Sequence, residues 1–297
     1  MRIMTLGSPD TDETRMIVDA ARERGHEAYA GKIYDLYFEV KDSVFKAYHR
    51  EVDLLSYDAF IFRGISSSTP EKSQLFNALI LARYLYDNGK IVLDEKLATD
   101  RVFPTKIPYT RTKNGVSVPD TVFTLGENVT KKYLKNAQYP LIIKSITGSK
   151  GRGVFLAQNY LEAKKIISEN DQKRFMFQEY IPTRFDVRIF IVNGKIMGAM
   201  RRDAADGDFR SNIAQGGSSS IFDLSQRPDV SELALKAFKA ANMEVAGVDI
   251  MINNEKLYVL EVNRAPQFKG FYAATGINVA VEIVKYLEDK YQKNIAK

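Results

Sequence analysis

The first hundred residues alternate between two hydrophobic periods, one typical of buried strands and one typical of amphipathic helices. Apolar residues recur at helical spacing from residue 13 until Gly25, and a second helical stretch stops at Gly89. Strands that alternate with helices favour a parallel sheet, so we expect a small α/β domain here. In chain order, the pattern predicts a strand over 2–7, a helix over 13–24, a strand over 58–64, a helix over 73–88 and a strand over 90–93.

Arg63 closes the second of these strands and is followed by Gly64. The carboxyl ends of the strands in an α/β sheet form the edge at which ligands usually bind. Arg63 is therefore a candidate ligand contact, and an ordinary strand end is the alternative.

A glycine-rich stretch over 148–153 lies between two predicted strands rather than in front of a helix. An apolar strand over 139–144 precedes it, and a strand over 154–157 follows it. Dinucleotide and Walker motifs need a helix directly after the glycines, so neither motif fits. A glycine hairpin can fold over phosphates with its backbone N–H groups, helped by Lys150 and Arg152. The alternative is a flexible hairpin with a solvated basic tip.

The dipeptide Asn193-Gly194 lies between two apolar stretches and favours a type I′ hairpin turn. A two-residue turn places Asp186 opposite Arg201 and keeps Arg188 on the same face, so one face is expected to be charged. The following stretch, 201–212, has no clear period and is rich in arginine and glycine. It is expected to be a loop, either plain surface or a mobile anion-binding segment.

Two late strands carry acidic and amide side chains. Asp249 interrupts an apolar strand over 245–252, and Glu261 and Asn263 share one face of a strand over 256–263. An odd-length turn centred on Glu255 would place Asp249 opposite Glu261. Two carboxylates and an amide oxygen form a ligand set that Mg²⁺ accepts. Structural pairing of these charges with arginines is the alternative, and paired carboxylates for glycoside chemistry are a further one.

Composition removes several classes of chemistry. The 297 residues include no cysteine and two histidines, which excludes disulfides, cysteine nucleophiles and thiolate metal sites and leaves little for histidine-based hydrolysis. A formal net charge of +6 suits anionic small molecules, and no basic tract favours nucleic acid. We expect a cytoplasmic protein without membrane contact, since neither a signal-peptide core nor an apolar run of about 20 residues is present.

Taken together, these motifs resemble the ATP-grasp carboxylate–amine ligases. The similarity is greatest to the RimK-type branch, which includes ribosomal-protein glutamate ligases and relatives that act on amino-acid carrier proteins or coenzyme glutamate tails. The strings at 207–212, 261–263 and 275–277 are specific to that branch, and the match spans roughly residues 100–280. The resemblance rests on Lys106, Lys144 and the stretches 148–153, 177–181, 186–188, 207–212, 247–249 and 261–263.

The resemblance implies an α+β fold, namely an ATP-grasp fold preceded by a Rossmann-like α/β domain. The expected divisions are residues 1–103, a central subdomain over 104–183 with the glycine-rich loop, and a C-terminal subdomain over 184–297 with the metal and substrate sites. The implied cofactors are ATP and two Mg²⁺ ions, with Mn²⁺ as a substitute.

The resemblance also assigns residues to three roles. Lys106 and Lys144 would hold ATP phosphates, residues 150–153 would close over them, and Asp186 would lie near the ribose. The full set expected to bind ATP is Lys106, Lys144, Gly148, Lys150, Gly151, Arg152, Gly153, Gln178, Glu179, Tyr180, Ile181, Asp186 and Asn212. The expected metal ligands are Asp249, Glu261 and Asn263, and the expected catalytic cations are Arg188, Arg202 and Arg210.

The implied reaction has two steps: a carboxylate attacks the γ-phosphate to give an acyl phosphate, and an amine then displaces phosphate. The expected partners are an amino acid, with glutamate first, and a carboxylate-bearing peptide, protein or coenzyme. The resemblance further implies a homodimer or homotetramer. The alternatives are an ATP-grasp kinase of a small molecule and a non-catalytic ATP-binding module.

Two departures from the branch lie near the expected acceptor pocket. Arg201-Arg202-Asp203 stands where the branch usually has Glu-Arg-Arg, so either arginine is open as the phosphoryl contact. The stretch 264–267 replaces the usual Ala-Ser-Pro-Gly. Its Arg264 is expected to alter substrate preference more than ATP affinity.

Overall fold

The structure is a computed structural model that describes residues 1–64, 73–99, 108–145, 153–170, 174–206 and 217–296. The first of its regions contains the predicted parallel sheet, with strands in the order β2-β1-β6-β7. A small antiparallel sheet that the sequence did not predict, β3-β4-β5, lies between β2 and β6 in the chain. The elements are β1 (Arg2–Gly7), α1 (Asp12–Glu23), β2 (Glu27–Lys32), β3 (Leu36–Lys41), β4 (Val44–His49), β5 (Val52–Asp53), β6 (Ala59–Arg63), α2 (Ser73–Asp87), β7 (Ile91–Val92) and α3 (Lys96–Thr99).

Local sequence explains where α1 begins and ends. The Thr11 hydroxyl accepts a hydrogen bond from the Thr14 backbone N–H, as a helix N-cap does. Gly25 follows the helix with a φ of 81°, a left-handed conformation that glycine adopts without strain. The turn lets the chain enter β2 beside β1.

The second region is an antiparallel sheet with strands in the order β10-β9-β11-β8. Two helices cover it, and Leu134, Ala163 and Phe177 lie in the shared apolar core. Strands β9 and β10 flank the glycine-rich stretch as predicted. The elements are α4 (Tyr109–Lys113), β8 (Thr121–Phe123), α5 (Glu127–Asn136), β9 (Leu141–Ser145), β10 (Val154–Ala157), α6 (Tyr160–Ser168) and β11 (Phe175–Glu179).

The third region is a five-stranded antiparallel sheet with strands in the order β14-β13-β12-β15-β16. The predicted loop over 201–212 was wrong at its start, because residues 201–203 continue a strand and pair with both neighbours. The elements are β12 (Phe185–Val192), β13 (Lys195–Asp203), β14 (Ser218–Ile221), α7 (Pro228–Ala241), β15 (Val245–Asn253), β16 (Lys256–Asn263), α8 (Lys269–Thr275) and α9 (Val279–Ile295).

One apolar core joins the first and third regions. Ile17 on α1, Phe190 on β12 and Val284 on α9 belong to the same buried cluster. Because both regions bury apolar surface there, their relative position is expected to be fixed. We call this interface between the N-terminal parallel sheet and the C-terminal sheet the seam. In the described parts of the chain, no helix has both the length and the apolar character needed to cross a bilayer.

Candidate functional site

One face of the five-stranded sheet gathers the charged residues that the sequence singled out. Side chains alternate along a strand, so residues two apart share a face, and strand pairing aligns them across the sheet. Arg188 on β12 pairs with Asp249 on β15, which pairs in turn with Glu261 on β16. The residues on this face that make contact are Asp186, Arg188, Arg202, Asp249, Glu261 and Asn263.

Arginines and carboxylates alternate in this cluster. Arg202 donates to both carboxylate oxygens of Asp186 at 2.6 and 2.7 Å and lies 3.0 Å from Asp249. Arg188 donates to both oxygens of Asp249 at 2.7 and 2.6 Å. Such forked pairs are geometrically specific and are among the stronger hydrogen bonds in proteins.

The pairing changes the acidity of its members. Burial by itself would raise the pKa of Asp249, but Arg188 and Arg202 outweigh it and hold that pKa well below its ordinary value. Burial likewise disfavours the charge on Arg202, yet Asp249 and Asp186 raise its pKa above the usual range. Asp249 and Arg202 are therefore both charged at neutral pH, although they are only 3% and 5% exposed.

The predicted register of the β12–β13 hairpin was wrong by one residue. The turn is as expected, since Asn193 and Gly194 both have positive φ. A β-bulge between the turn and the charged residues then shifts the pairing, and Asp186 lies opposite Arg202 rather than Arg201. This answers which of the two arginines joins the charged face.

Arg201 lies on the other side of the strand and contacts different groups. Its guanidinium binds Asp203, with hydrogen bonds of 2.6 to 2.9 Å, and lies 3.9 Å from the ring centroid of Phe185. It therefore belongs to a local, half-exposed ion pair.

Asp249 lies opposite Glu261, although not through the odd-length turn that the sequence suggested. The turn between β15 and β16 has two residues, Asn254 and Glu255, and a bulge at Leu260 then brings Asp249 and Glu261 into register. The Asn263 amide donates to Glu261 at 2.8 Å and reaches Asp249 at 3.5 Å.

The donor set of these three residues fits a hard cation. The Asn263 amide N–H group bridges the two carboxylates, and a half-turn of the amide would present its oxygen there instead. Among the described residues, no three His, Asp or Glu side chains cluster as a metal site by themselves. A cation would therefore need the amide oxygen and ligands from outside the protein, as Mg²⁺ accepts. It would also compete with Arg188 and Arg202 for Asp249.

Arg111 on α4 is a neighbour of the site that the sequence did not reveal. It is buried, which lowers its pKa, and the negative charge of Glu261 acts against that shift. The helix sequence at 109–113 is polar and has no motif, so no local pattern marks Arg111 as part of a site.

Three predicted ATP contacts lie on the sheet of the second region. Lys144 donates to the Gln178 side-chain oxygen at 2.6 Å, and Gln178 donates to Thr121 at 2.9 Å. Glu179 instead accepts a hydrogen bond from the Asp120 backbone at 2.9 Å. Tyr180 is half-buried and Ile181 is buried directly after β11.

The glycine hairpin is described only at its base. The Gly153 carbonyl accepts from the Ser145 N–H at 2.7 Å, and Gly153 has a φ of 87°. The two strands predicted on either side of the glycine-rich stretch are present and pair with each other. The other predicted site residues lie outside the described residues: Lys106, Gly148, Lys150, Gly151, Arg152, Arg210 and Asn212.

Arg264 lies away from the charged face, at the seam between the first and third regions. Its guanidinium is 3.0 Å from Asp94, which follows β7 and also accepts hydrogen bonds from the backbone at Glu244 and Val245. Burial raises the pKa of Asp94, and Arg264 opposes that shift. The ion pair therefore links the C-terminal sheet to the N-terminal parallel sheet.

Comparison with known proteins adds independent findings. A family model described as a RimK-like ATP-grasp domain matches residues 108–287. The probable alpha-L-glutamate ligase of Trichodesmium erythraeum (strain IMS101) is 30% identical over 305 residues, covering 100% of this chain and 98% of the relative. The probable alpha-L-glutamate ligase 1 of Shewanella amazonensis (strain ATCC BAA-1098 / SB2B) is 31% identical over 300 residues, covering 99% and 97%.

A solved structure shows the same fold. The ATP-grasp ligase PsnB, complexed with a phosphomimetic variant of its minimal precursor, Mg and ADP, aligns with a TM-score of 0.71. The two sequences are 17% identical, and the alignment covers 97% of this chain and 98% of PsnB. The α+β ATP-grasp fold is thereby confirmed. The chain belongs to the RimK-like ATP-grasp family and is an ATP-dependent, ADP-forming ligase.

Proposed function

We propose that this ligase joins the amine of an amino acid to the carboxylate of a peptide, protein or coenzyme. Glutamate is the first candidate for that amino acid. The single observation that supports this most strongly is the charged face, where the buried Arg202 and Asp249 and the half-buried Arg188 are paired beside Glu261. A buried cluster of guanidinium groups suits reactions in which an anion attacks another anion. The relatives named as glutamate ligases suggest the amino acid.

The reaction needs two negatively charged groups to approach each other. The carboxylate substrate attacks the γ-phosphorus of ATP, ADP leaves, and an acyl phosphate forms. The amine then attacks the acyl carbon, the C–N bond forms, and phosphate departs as the nitrogen loses its proton. Positioning and neutralisation of charge lower both barriers, so a histidine base is not required.

Side chains on the charged face have distinct proposed roles. Arg188 and Arg202, with Arg210, neutralise the transferring phosphoryl group and the carboxylate substrate. Asp249, Glu261 and Asn263 would hold two Mg²⁺ ions, which supply charge neutralisation to the phosphates when bound. Because Arg188 and Arg202 hold both oxygens of Asp249, metal binding is expected to loosen these contacts and release guanidinium donors for the anionic substrate.

Residues of the second region are the proposed ATP contacts. Lys144 is held by Gln178 beside the base of the glycine hairpin, which suits a phosphate-binding lysine. We propose that Lys106, Lys144 and residues 148–153 bind the phosphates, and that residues 178–181 line the adenine site. Asp186 is proposed to act near the ribose through Arg202, because Arg202 binds both of its carboxylate oxygens.

We also propose the division into three parts, 1–103, 104–183 and 184–297. Each of the three larger sheets lies within one of these ranges. The homodimer or homotetramer and the cytoplasmic location remain predictions, and light scattering on the purified chain tests the first of them.

A panel assay tests the proposed reaction. The enzyme is incubated with ATP, Mg²⁺ and single amino acids, ADP release is followed, and products are read by mass spectrometry. Glutamate-dependent ADP release with one added glutamyl unit, on a supplied acceptor or on glutamate itself, is the expected outcome. A phosphorylated product that persists without any amine would support a kinase instead. ATP binding without turnover for any amino acid would contradict the glutamate assignment.

A further inference from the structure

Arg63 lies at the carboxyl edge of the parallel sheet, outside the charged face. It ends β6 and pairs with Gly7, the last residue of β1. The two central strands of the sheet therefore finish side by side at this point. This edge is the usual ligand-binding edge of α/β sheets.

The surroundings of Arg63 leave its charge poorly compensated. The residue is 7% exposed, and among the described residues its guanidinium makes one hydrogen bond, to the Pro266 carbonyl at 2.9 Å. It lies 5.3 Å from the ring centroid of Phe268 and forms no ion pair with a described carboxylate. Burial lowers its pKa to about 10, and the charge of Glu13 acts against that shift only in part.

Arg63 is close to the charged face of the C-terminal sheet. Its acceptor, Pro266, follows Asn263 by three residues. A Cβ atom added to Gly247 would lie 2.7 Å from the Pro266 Cβ and 3.7 Å from the Arg188 Cδ. Pro266 therefore contacts Arg63 through its carbonyl and lies against Gly247, the residue beside Arg188.

A guanidinium group has five N–H donors in a planar fork, and Pro266 uses one of those of Arg63. A carboxylate matches the free part of the fork and would neutralise the charge. We propose that Arg63 binds a carboxylate of the amino-acid substrate, at the N-terminal side of the seam, and so positions it beside Arg188. This inference rests on the proposed function, which requires a carboxylate-bearing substrate.

Binding measurements on the full chain test this site without requiring turnover. L-Glutamate is titrated into the wild type, Arg63→Met and Arg63→Lys by calorimetry, with inorganic phosphate as a second probe. Arg22→Met is the matched control, because Arg22 also donates to a backbone carbonyl, that of Ala28, but lies in the last turn of α1, near the amino end of β2.

We expect the wild type and Arg22→Met to bind L-glutamate alike and Arg63→Met to bind it at least about tenfold more weakly, as loss of a charge-assisted hydrogen bond implies. Arg63→Lys should be intermediate, since lysine keeps the charge without the fork. Equal affinity in the wild type and Arg63→Met, or no binding of L-glutamate by the wild type, would overturn the inference. Tighter, Arg63-dependent binding of phosphate would overturn the choice of a carboxylate.

Failure of this inference can be told apart from failure of the proposed function. If Arg63→Met binds glutamate normally and the wild type still forms the glutamyl amide, the inference falls and the ligase assignment stands. If binding depends on Arg63 but no amino acid supports amide formation, the site stands and the proposed reaction falls.

Discussion

Arg202 and Arg63 are two arginines that are buried to nearly the same degree, with 5% and 7% of their surface exposed. Arg202 lies between the carboxylates of Asp186 and Asp249, and its pKa is raised. Arg63 donates to one backbone carbonyl, and its pKa is lowered to about 10. Burial acts on both arginines in the same direction, so the difference between them comes from their partners.

The comparison separates two uses of a buried charge. At Arg202 the cost of removing the guanidinium from water is offset within the protein, and the result is a preformed charged face. At Arg63 the cost is offset only in part, which leaves binding capacity for an anion. Arg202 is thus paired within the protein, whereas Arg63 keeps N–H donors that a ligand can use.

Replacement of each arginine by methionine should give the largest difference between the two, in the free energy of unfolding. Arg202→Met leaves Asp186 and Asp249 buried without Arg202, so we expect the free energy of unfolding to fall by about 3–5 kcal/mol. Arg63→Met removes a poorly compensated charge and keeps the apolar stem, so we expect a change within about 1 kcal/mol. Urea unfolding curves for both variants measure the difference.

A third variant controls for the loss of an arginine on the same strand. Arg201 is half-exposed and pairs with Asp203, so Arg201→Met should cost less than about 1 kcal/mol. If Arg63→Met were as unstable as Arg202→Met, the two arginines would have the same structural role and the comparison would be wrong.

A second prediction concerns Glu261, which lies on the charged face but is held by the Asn263 amide rather than by an arginine. Glu261→Gln removes a proposed ligand charge and keeps the shape. We expect turnover to fall by about 100-fold or more, since even outer partners of metal ligands contribute about 10–100-fold. Unfolding free energy should change by less than about 1 kcal/mol. Steady-state kinetics and urea unfolding give the two values.

Glu255→Gln is the matched control, because Glu255 lies in the turn of the same hairpin, away from the charged face. It should retain wild-type turnover. Near-normal turnover in Glu261→Gln would remove Glu261 from the metal site, whatever the behaviour of Glu255→Gln.

Strand periodicity predicted the two hairpins that contain the charged face, but not their register, and the resemblance implied the ATP-grasp fold. The Asn193-Gly194 turn was correctly identified, yet the bulge between Phe190 and Ile191 moved Arg202 to the position expected for Arg201. Nothing in the local pattern marks a bulge, because it depends on how three strands twist together. The opposition of Asp249 and Glu261 was predicted, but by a different turn.

Long-range packing accounts for what the sequence did not reveal. Arg111 reaches the neighbourhood of Glu261 from a short polar helix about 150 residues earlier in the chain, and Arg264 pairs with Asp94 across the seam between two sheets. Periodicity reports which face of an element is buried, not which distant element covers it. Residues whose role depends on such contacts therefore need a structure.

The two histidines of the chain extend the comparison between paired and poorly paired buried groups. Here the expected effect on stability is the smallest. His26 bonds Glu288 through Nε2 at 2.8 Å. His49 is buried, its Nε2 has no hydrogen-bond partner among the described residues, and Asp35 lies 3.8 Å away. Burial lowers the pKa of His49, and Asp35 opposes this only in part.

The sign of the pH effect follows from that shift. Below about pH 6.5 the unfolded chain takes up a proton at His49 more readily than the folded chain does, so the free energy of unfolding falls as the pH falls. His49→Gln keeps a polar side chain of similar size and cannot titrate. We expect it to reduce the loss of stability between about pH 7 and pH 5, by less than about 1 kcal/mol. Urea unfolding at several pH values, with His26→Gln in parallel, measures this slope. An unchanged slope in His49→Gln would mean that His49 keeps its ordinary proton affinity when folded, and that burial does not decide the charge of this ring.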